Sequence, residues 1–270
     1  MKKLFRSTLR RLGFELLHRD DDPILTELRE LHETLRLEPH NRVLWDDSLP
    51  QPAAHACLRN LIQLHGIDLV LDVGANRGQF AHLVRRIGYS GEIVSFEPLA
   101  RCQSELCAAA ATDGHRKIVP VALGSASAEL DLHVYNDDTF SSLHIINATG
   151  HNRFQELAVE TKTEHVIVRK LDDFWPELCG KAKRRVLLKT DTQGHDLSVL
   201  VGATETLLST YAVITEAAFQ PIYIGSPLFA EIAAWLDARG FVVSGLFPIS
   251  HRPEDLALIE LDAFFTRLDA

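Results

Sequence analysis

Hydrophobic positions along the chain change rhythm partway. At the N-terminal end they recur at helical spacing, first Leu9, Leu12 and Leu16, then Leu28, Leu31 and Leu35, then Leu58, Leu61 and Ile62. Asp20-Asp21-Asp22-Pro23 separates the first two stripes, and the polar stretch from Pro39 to Pro52 reads as a loop before the third. From Ile67 short apolar runs alternate with helical stripes. Residues 68–73 predict a strand, and Phe80, Leu83, Val84 and Ile87 a helix closed by Gly88. A strand over 92–96, an Ala-rich helix over 101–111 and a strand over 117–123 follow. The rhythm lapses over 128–175, where two expected strands (129–135 and 166–170) flank a polar segment. It resumes with a strand at 185–190, a helix at 197–208, a strand at 212–217, and a helix striped by Phe229, Ile232, Ala233 and Leu236 and capped by Gly240. Strands at 241–247 and 256–265 then come with no helix between them. Such alternation predicts a mostly parallel, Rossmann-like sheet covered on both faces, and the closing pair an antiparallel hairpin at one edge. The chain divides into a helical extension, 1–66, and an α/β domain, 67–270.

Composition narrows the class. A net charge of −9 over 270 residues argues against a nucleic-acid binder, since phosphate contacts need clustered Lys and Arg. No apolar run reaches the roughly 18 residues of a membrane span, and the N-terminus lacks a secretory signal. Cys57, Cys102, Cys107 and Cys179 form no CxxC pair or zinc spacing, so reduced thiols in a cytoplasmic protein are expected. Residues 1–19 stand apart, with Lys2, Lys3, Arg6, Arg10, Arg11 and Arg19 against Glu15 alone. A basic amphipathic helix can lie on the inner face of an anionic membrane; docking on its own domain, or on a partner subunit of a homo-oligomer, is the preferred reading.

The strongest chemical signal is Leu71-Asp72-Val73-Gly74-Ala75-Asn76-Arg77-Gly78-Gln79-Phe80, between a strand and a helix. Gly74 and Gly78 allow a tight turn and close approach of a ligand. Further on, Ile93-Val94-Ser95-Phe96-Glu97-Pro98 ends the next strand in a carboxylate able to accept both hydroxyl protons of a ribose. Together they indicate an adenosine cofactor. A dinucleotide fingerprint would need a third glycine for the pyrophosphate. Asp72 would repel a pyrophosphate yet tolerate a sulfonium and an ammonium, which favours S-adenosylmethionine (SAM) over NAD. Val73, Ala75 and Ala122 complete the expected cofactor contacts.

Two further constellations sit where strands end. Leu187-Leu188-Lys189-Thr190-Asp191-Thr192-Gln193-Gly194-His195-Asp196 places Asp191 at a carboxyl-terminal strand tip, and Glu216 ends the next strand. Two adjacent carboxylates can share a proton, raise one pKa, or hold a divalent cation such as Mg. Thr139-Phe140-Ser141-Ser142-Leu143-His144 offers hydroxyls and amides from Ser141 and Ser142 to the methionine carboxylate. Asp191, His195, His144 and Glu216 are therefore the catalytic candidates, the histidines as neutral-pH bases.

The set DVGANRGQF, SFEP, SSL, LKTDTQGHD followed by VLVGA, and the closing LDAFFTR resembles the FkbM-type methyltransferases, from about Ile67 to Arg267. The resemblance implies a class I SAM-dependent fold with a seven-stranded sheet. It implies O-methylation, often of sugars in glycolipids, polysaccharides or natural products. It carries binding roles onto Asp72, Gly74, Asn76, Gly78, Phe80, Glu97, Pro98, Ser141, Ser142 and Asp191, and puts Phe219-Gln220-Pro221-Ile222-Tyr223 with Gly225 on the acceptor side. His144 and His195 depart from the family pattern. The alternatives are a nicotinamide-dependent oxidoreductase on the same sheet and a non-catalytic SAM-fold module that recruits partners through residues 1–19.

Overall fold

The computed structural model describes residues 22–24, 26–29, 50–180, 183–252 and 254–268. The basic N-terminal segment lies outside them. Residues 1–43 and Leu44–Ala270 form separate compact units. In the first, the described residues 23–24 and 26–29 are helical. Asp22 begins that helix, its Oδ1 accepting from the Ile24 N–H at 3.0 Å.

The second unit opens with α1 (Gln51–His65), which begins inside the expected loop because Pro50 and Pro52 suit a first helical turn. Then come β1 (Leu69–Val73), α2 (Gln79–Arg86), β2 (Glu92–Phe96), α3 (Gln103–Thr112) and β3 (Arg116–Val119). β4 (Ala122–Leu123), β5 (Ala128–Tyr135), α4 (Ala148–Phe154), β6 (Glu160–Arg169) and α5 (Trp175–Cys179) fill the stretch where the rhythm lapses. The chain closes with β7 (Val186–Thr190), α6 (Asp196–Val201), α7 (Thr204–Leu207), β8 (Thr210–Ala218), α8 (Phe229–Asp237), β9 (Phe241–His251) and β10 (Leu258–Arg267).

Seven strands form one sheet in the order β3-β2-β1-β7-β8-β10-β9. β1, β2, β3, β7 and β8 pair in parallel; β10 runs antiparallel to both β8 and β9. The final pair is thus a hairpin, as expected, with β10 inserted inside the edge. The single strand expected over 117–123 is two. Pro120 has no N–H for the ladder, so β3 stays in the main sheet while β4 joins β6 and β5 in a second, three-stranded sheet. The helix expected over 197–208 divides into α6 and α7. Asp172 supplies the reason, accepting the Glu205 and Thr206 amides at 2.9 Å each and so starting a new helix.

The two faces of the main sheet differ. Leu69, Leu71 and Val73 of β1, with Leu188, Val213 and Phe265, join the large core beneath α6, α7 and α8. By the period-two alternation of strands, Asp72, Ser95, Lys189, Glu216 and Asp262 fall on the other face. Register makes them neighbours: Asp72 pairs with Ser95 and with Lys189, and Asp262 with Glu216. A polar ladder therefore crosses the strand tips on the face where α1 and α2 help to close a cavity.

Candidate active site

The order reverses between β1 and β7, and an open α/β sheet binds ligands in the crevice at such a point. A cavity of about 810 Å³ lies there. One end is walled by the turn after β1, the tip of β2 and the segment at Ala122; the other by Asp191, Glu216, Glu260 and Asp262.

At the first end the turn after β1 is tied to the tip of β2. Gly74 and Ala75 donate their N–H groups to the Phe96 carbonyl at 3.0 and 3.1 Å. The Asn76 N–H donates to Glu97 Oε2 at 2.7 Å, and the Leu99 N–H to Oε1 at 2.8 Å. Each oxygen thus keeps a lone pair for a ligand hydroxyl. Burial pushes the Glu97 carboxyl up to about 7, against the pull of those two amides. Asn76 holds φ at 46°, a left-handed conformation that asparagine tolerates. Val73, Phe80, Pro98 and Ala122 line this region.

Three expectations at this end change. Asp72 is wholly buried and absent from the cavity lining. Its Oδ1 lies 3.3 Å from Lys189 Nζ, and its Oδ2 accepts from Ser95 Oγ at 3.3 Å, so its charge is met inside the sheet. Neither glycine's missing side chain clears space for a ligand. A Cβ on Gly74, at φ 72°, would stand 1.8 Å from the Asp191 carbonyl oxygen; on Gly78, at φ 91°, it would meet the Arg116 guanidinium. The glycines let the β1 turn press against β7 and over β3. Ser142 spends its hydroxyl on the protein, donating to the Gln193 carbonyl at 2.7 Å and accepting the His144 N–H at 2.9 Å. Ser141 and Ser142 both border the cavity, Ser141 on a turn that Arg77, itself paired with Glu105 on α3, clamps through Asp138 at 2.7 Å.

At the other end Lys189 is central. Its ammonium donates to the Gly74 carbonyl at 2.8 Å and lies 3.6 Å from Asp191 Oδ2. Burial opposes the charge, but Asp191 and Asp72 outweigh it and hold the pKa above the ordinary lysine value. Gln193 Nε2 stands 2.9 Å from Asp191 Oδ1 and 3.0 Å from Glu216 Oε1. The amide occupies the bridge that a divalent cation would need, so this pair does not fit a metal site. Among the described residues no group of three or more His, Cys, Asp or Glu side chains is arranged for a metal ion. Burial first, and Asp191 second, raise the carboxyls of Glu216 and Asp262, the latter to about 7; the same two causes raise Glu260 to about 7.

The two histidines form a pair. His144 Nδ1 lies 3.2 Å from the Ile224 carbonyl, which can only accept, so that nitrogen carries the proton. His144 Nε2 then accepts from His195 Nδ1 at 3.1 Å. Burial pulls both below the ordinary histidine value, His195 to about 4. His195 borders the cavity and His144 does not.

Lys189, Gln193, Glu260 and Asp262 were not singled out from the sequence. The signal was present: Lys189 stands two residues before Asp191 and so shares its face, and Glu260 and Asp262 interrupt an apolar strand at the same spacing.

Sheet order, inserted antiparallel strand and cavity at the switch point define the class I methyltransferase fold. The chain belongs to the FkbM methyltransferase domain family, whose model matches residues 72–243. The nicotinamide alternative falls with that. A comparison with curated proteins finds no match. Among solved structures, the FkbM methyltransferase of Methylobacillus flagellatus aligns at 15% identity and a TM-score of 0.44, over 73% of this chain and 43% of that one. The Burkholderia thailandensis 1,6-didemethyltoxoflavin-N1-methyltransferase, solved with 1,6-didemethyltoxoflavin and S-adenosylhomocysteine, aligns at 15% and 0.40 over 95% and 94%. The Synechocystis magnesium protoporphyrin IX methyltransferase, solved with SAM, aligns at 12% and 0.43 over 94% and 100%. No described helix is long and apolar enough to cross a membrane.

Proposed function

We propose that this chain is an SAM-dependent O-methyltransferase acting on a hydroxyl of a saccharide or small natural product. The observation that carries the reading is Glu97. Its two oxygens are fixed by one backbone amide each, at the wall of a cavity whose far end exposes Asp191. The first end fits a nucleoside. Glu97 would take the two ribose hydroxyls; Pro98 and Ala122 would flank the base. The turn from Gly74 to Asn76, with Ser141, would hold the amino-acid tail.

SAM supplies an electrophilic methyl group on a sulfonium. The chain must then hold an acceptor hydroxyl in line with it, at close range and away from water. Asp191 is the base we assign. Its Oδ1 is held by Gln193, while Oδ2 takes no hydrogen bond among the described residues and is left for an acceptor proton. Lys189 balances the charge of Asp191 before the proton is taken up. His195 shares the wall, but burial leaves it a feeble base. Glu216, bridged to Asp191 by Gln193, positions rather than reacts. A screen of sugars, glycolipids and polyols with methyl-labelled SAM tests the reading. Label on an acceptor oxygen, lost in Asp191→Asn, is the expected result; SAM binding with no transfer to any hydroxyl would favour a non-catalytic module instead. Placement in the cytoplasm belongs to the same proposal, as does membrane or subunit docking through residues 1–19, tested by deleting them.

A further inference from the structure

The acceptor end of the cavity gathers three more acidic side chains beside Asp191: Glu216, Glu260 and Asp262. Glu216 on β8 and Asp262 on β10 are direct cross-strand partners, and Glu260 lies two residues along on the same face. Like charges directly opposite each other destabilise a strand pair, and buried carboxylates without partners cost more. The protein does little to relieve this. Glu216 has the Gln193 amide at 3.0 Å. Glu260, only 9% exposed, has one long hydrogen bond from Ser250 Oγ, at 3.4 Å. Asp262 takes none from any described residue and faces the cavity. The cations nearby are committed or peripheral. Lys189 is shared between Asp72 and Asp191. Arg153 on α4 acts on Glu260 but donates to the His251 carbonyl. Arg86 borders the cavity from α2.

Resting on the reading of this cavity as the transfer site, we propose that the acceptor is an amino alcohol, such as an amino sugar, whose ammonium is held by Glu216, Glu260 and Asp262 beside the hydroxyl that is methylated. An ammonium offers three donors and no acceptor, which complements a wall of carboxylates. A neutral polyol could donate hydroxyl protons to the same oxygens but brings no positive charge to offset theirs. Phe247 pairs with Asp262 across the β9–β10 ladder and packs edge-on to Phe264 at 4.9 Å between ring centres. Both rings line the same cavity as the carboxylates. An amine near one hydroxyl fixes which oxygen reaches Asp191, so the acidic wall sets regiochemistry as well as affinity.

The test uses the full chain loaded with S-adenosylhomocysteine. Calorimetry compares glucosamine, galactosamine and ethanolamine with glucose, galactose and ethylene glycol at pH 7. At least one amine binds tenfold or more tightly than its neutral twin, and Asp262→Asn brings that ratio within threefold while S-adenosylhomocysteine affinity changes less than twofold. The idea is overturned if no amine exceeds its twin, or if the preference survives both Asp262→Asn and Glu260→Gln. Failure of S-adenosylhomocysteine itself to bind would strike the methyltransferase reading; cofactor binding with neutral sugars preferred would strike this inference alone.

Discussion

Lys189 Nζ lies 3.3 Å from Asp72 Oδ1, and cross-strand register places the two residues side by side on β7 and β1. The pair spans the point where the sheet order reverses, and the same ammonium reaches the Gly74 carbonyl and the Asp191 carboxylate. One buried cation thereby joins the cofactor turn to the transfer end.

Removing that cation should strand a buried carboxylate. Lys189→Met is expected to cost about 3–5 kcal/mol of folding stability in urea titrations, because breaking a buried pair leaves an uncompensated charge. Asp72→Asn combined with Lys189→Met should recover most of the loss. Equal instability of the single and double variants would show that the pairing does not matter.

Cofactor affinity should depend on pH through Glu97. Ribose hydroxyls need the ionised carboxylate as acceptor, and burial holds that group at about 7 in the free protein. Binding must therefore expel a proton below about pH 7, and affinity should fall as pH falls from 8 to 6, by up to about tenfold per unit. Glu97→Gln should bind roughly 10–100-fold more weakly, the scale of hydrogen bonds to a charged group, and lose the pH dependence. A wild-type affinity flat over this range would refute the role.

Gly74 is held by packing of protein on protein. Gly74→Ala puts a methyl group 1.8 Å from the Asp191 carbonyl oxygen in a left-handed conformation. It should cost more than about 1 kcal/mol and displace Asp191, lowering kcat more than cofactor affinity. Near-normal melting temperature and turnover would contradict the geometry.

Asp262 should be a stability liability above neutral pH. Its folded pKa is raised from 3.8 to about 7, so the folded state binds the proton more tightly than the unfolded one. That advantage is complete below about pH 4 and lost as pH rises through about 7. Asp262→Asn should therefore melt several degrees above the ligand-free wild type at pH 8 and show no such gain at pH 4. A gain independent of pH would point to some other cause.

The sheet was legible because β1, β2 and β7 are short apolar runs bounded by turns, and the two final strands lack a helix between them. The site's outline was legible where Gly74 and Glu97 mark a turn and a strand tip. Lys189 stayed hidden because the purpose of a buried lysine appears only when register brings Asp72 beside it. The Glu216–Asp262 pairing was hidden too, since residues far apart in the chain meet through a topology that inserts β10 beside β8. Asp72 and Ser142 misled in the opposite way: both sit in the expected motifs, yet spend their polar groups on the protein.

The most direct measurement of the central claim is a calorimetric titration of SAM into the wild type, Glu97→Ala and Asp191→Asn, with methyl transfer followed on the same samples. One saturable site in the wild type, lost in Glu97→Ala and kept without turnover in Asp191→Asn, is the predicted result. No binding by the wild type, or full binding by Glu97→Ala, would contradict it.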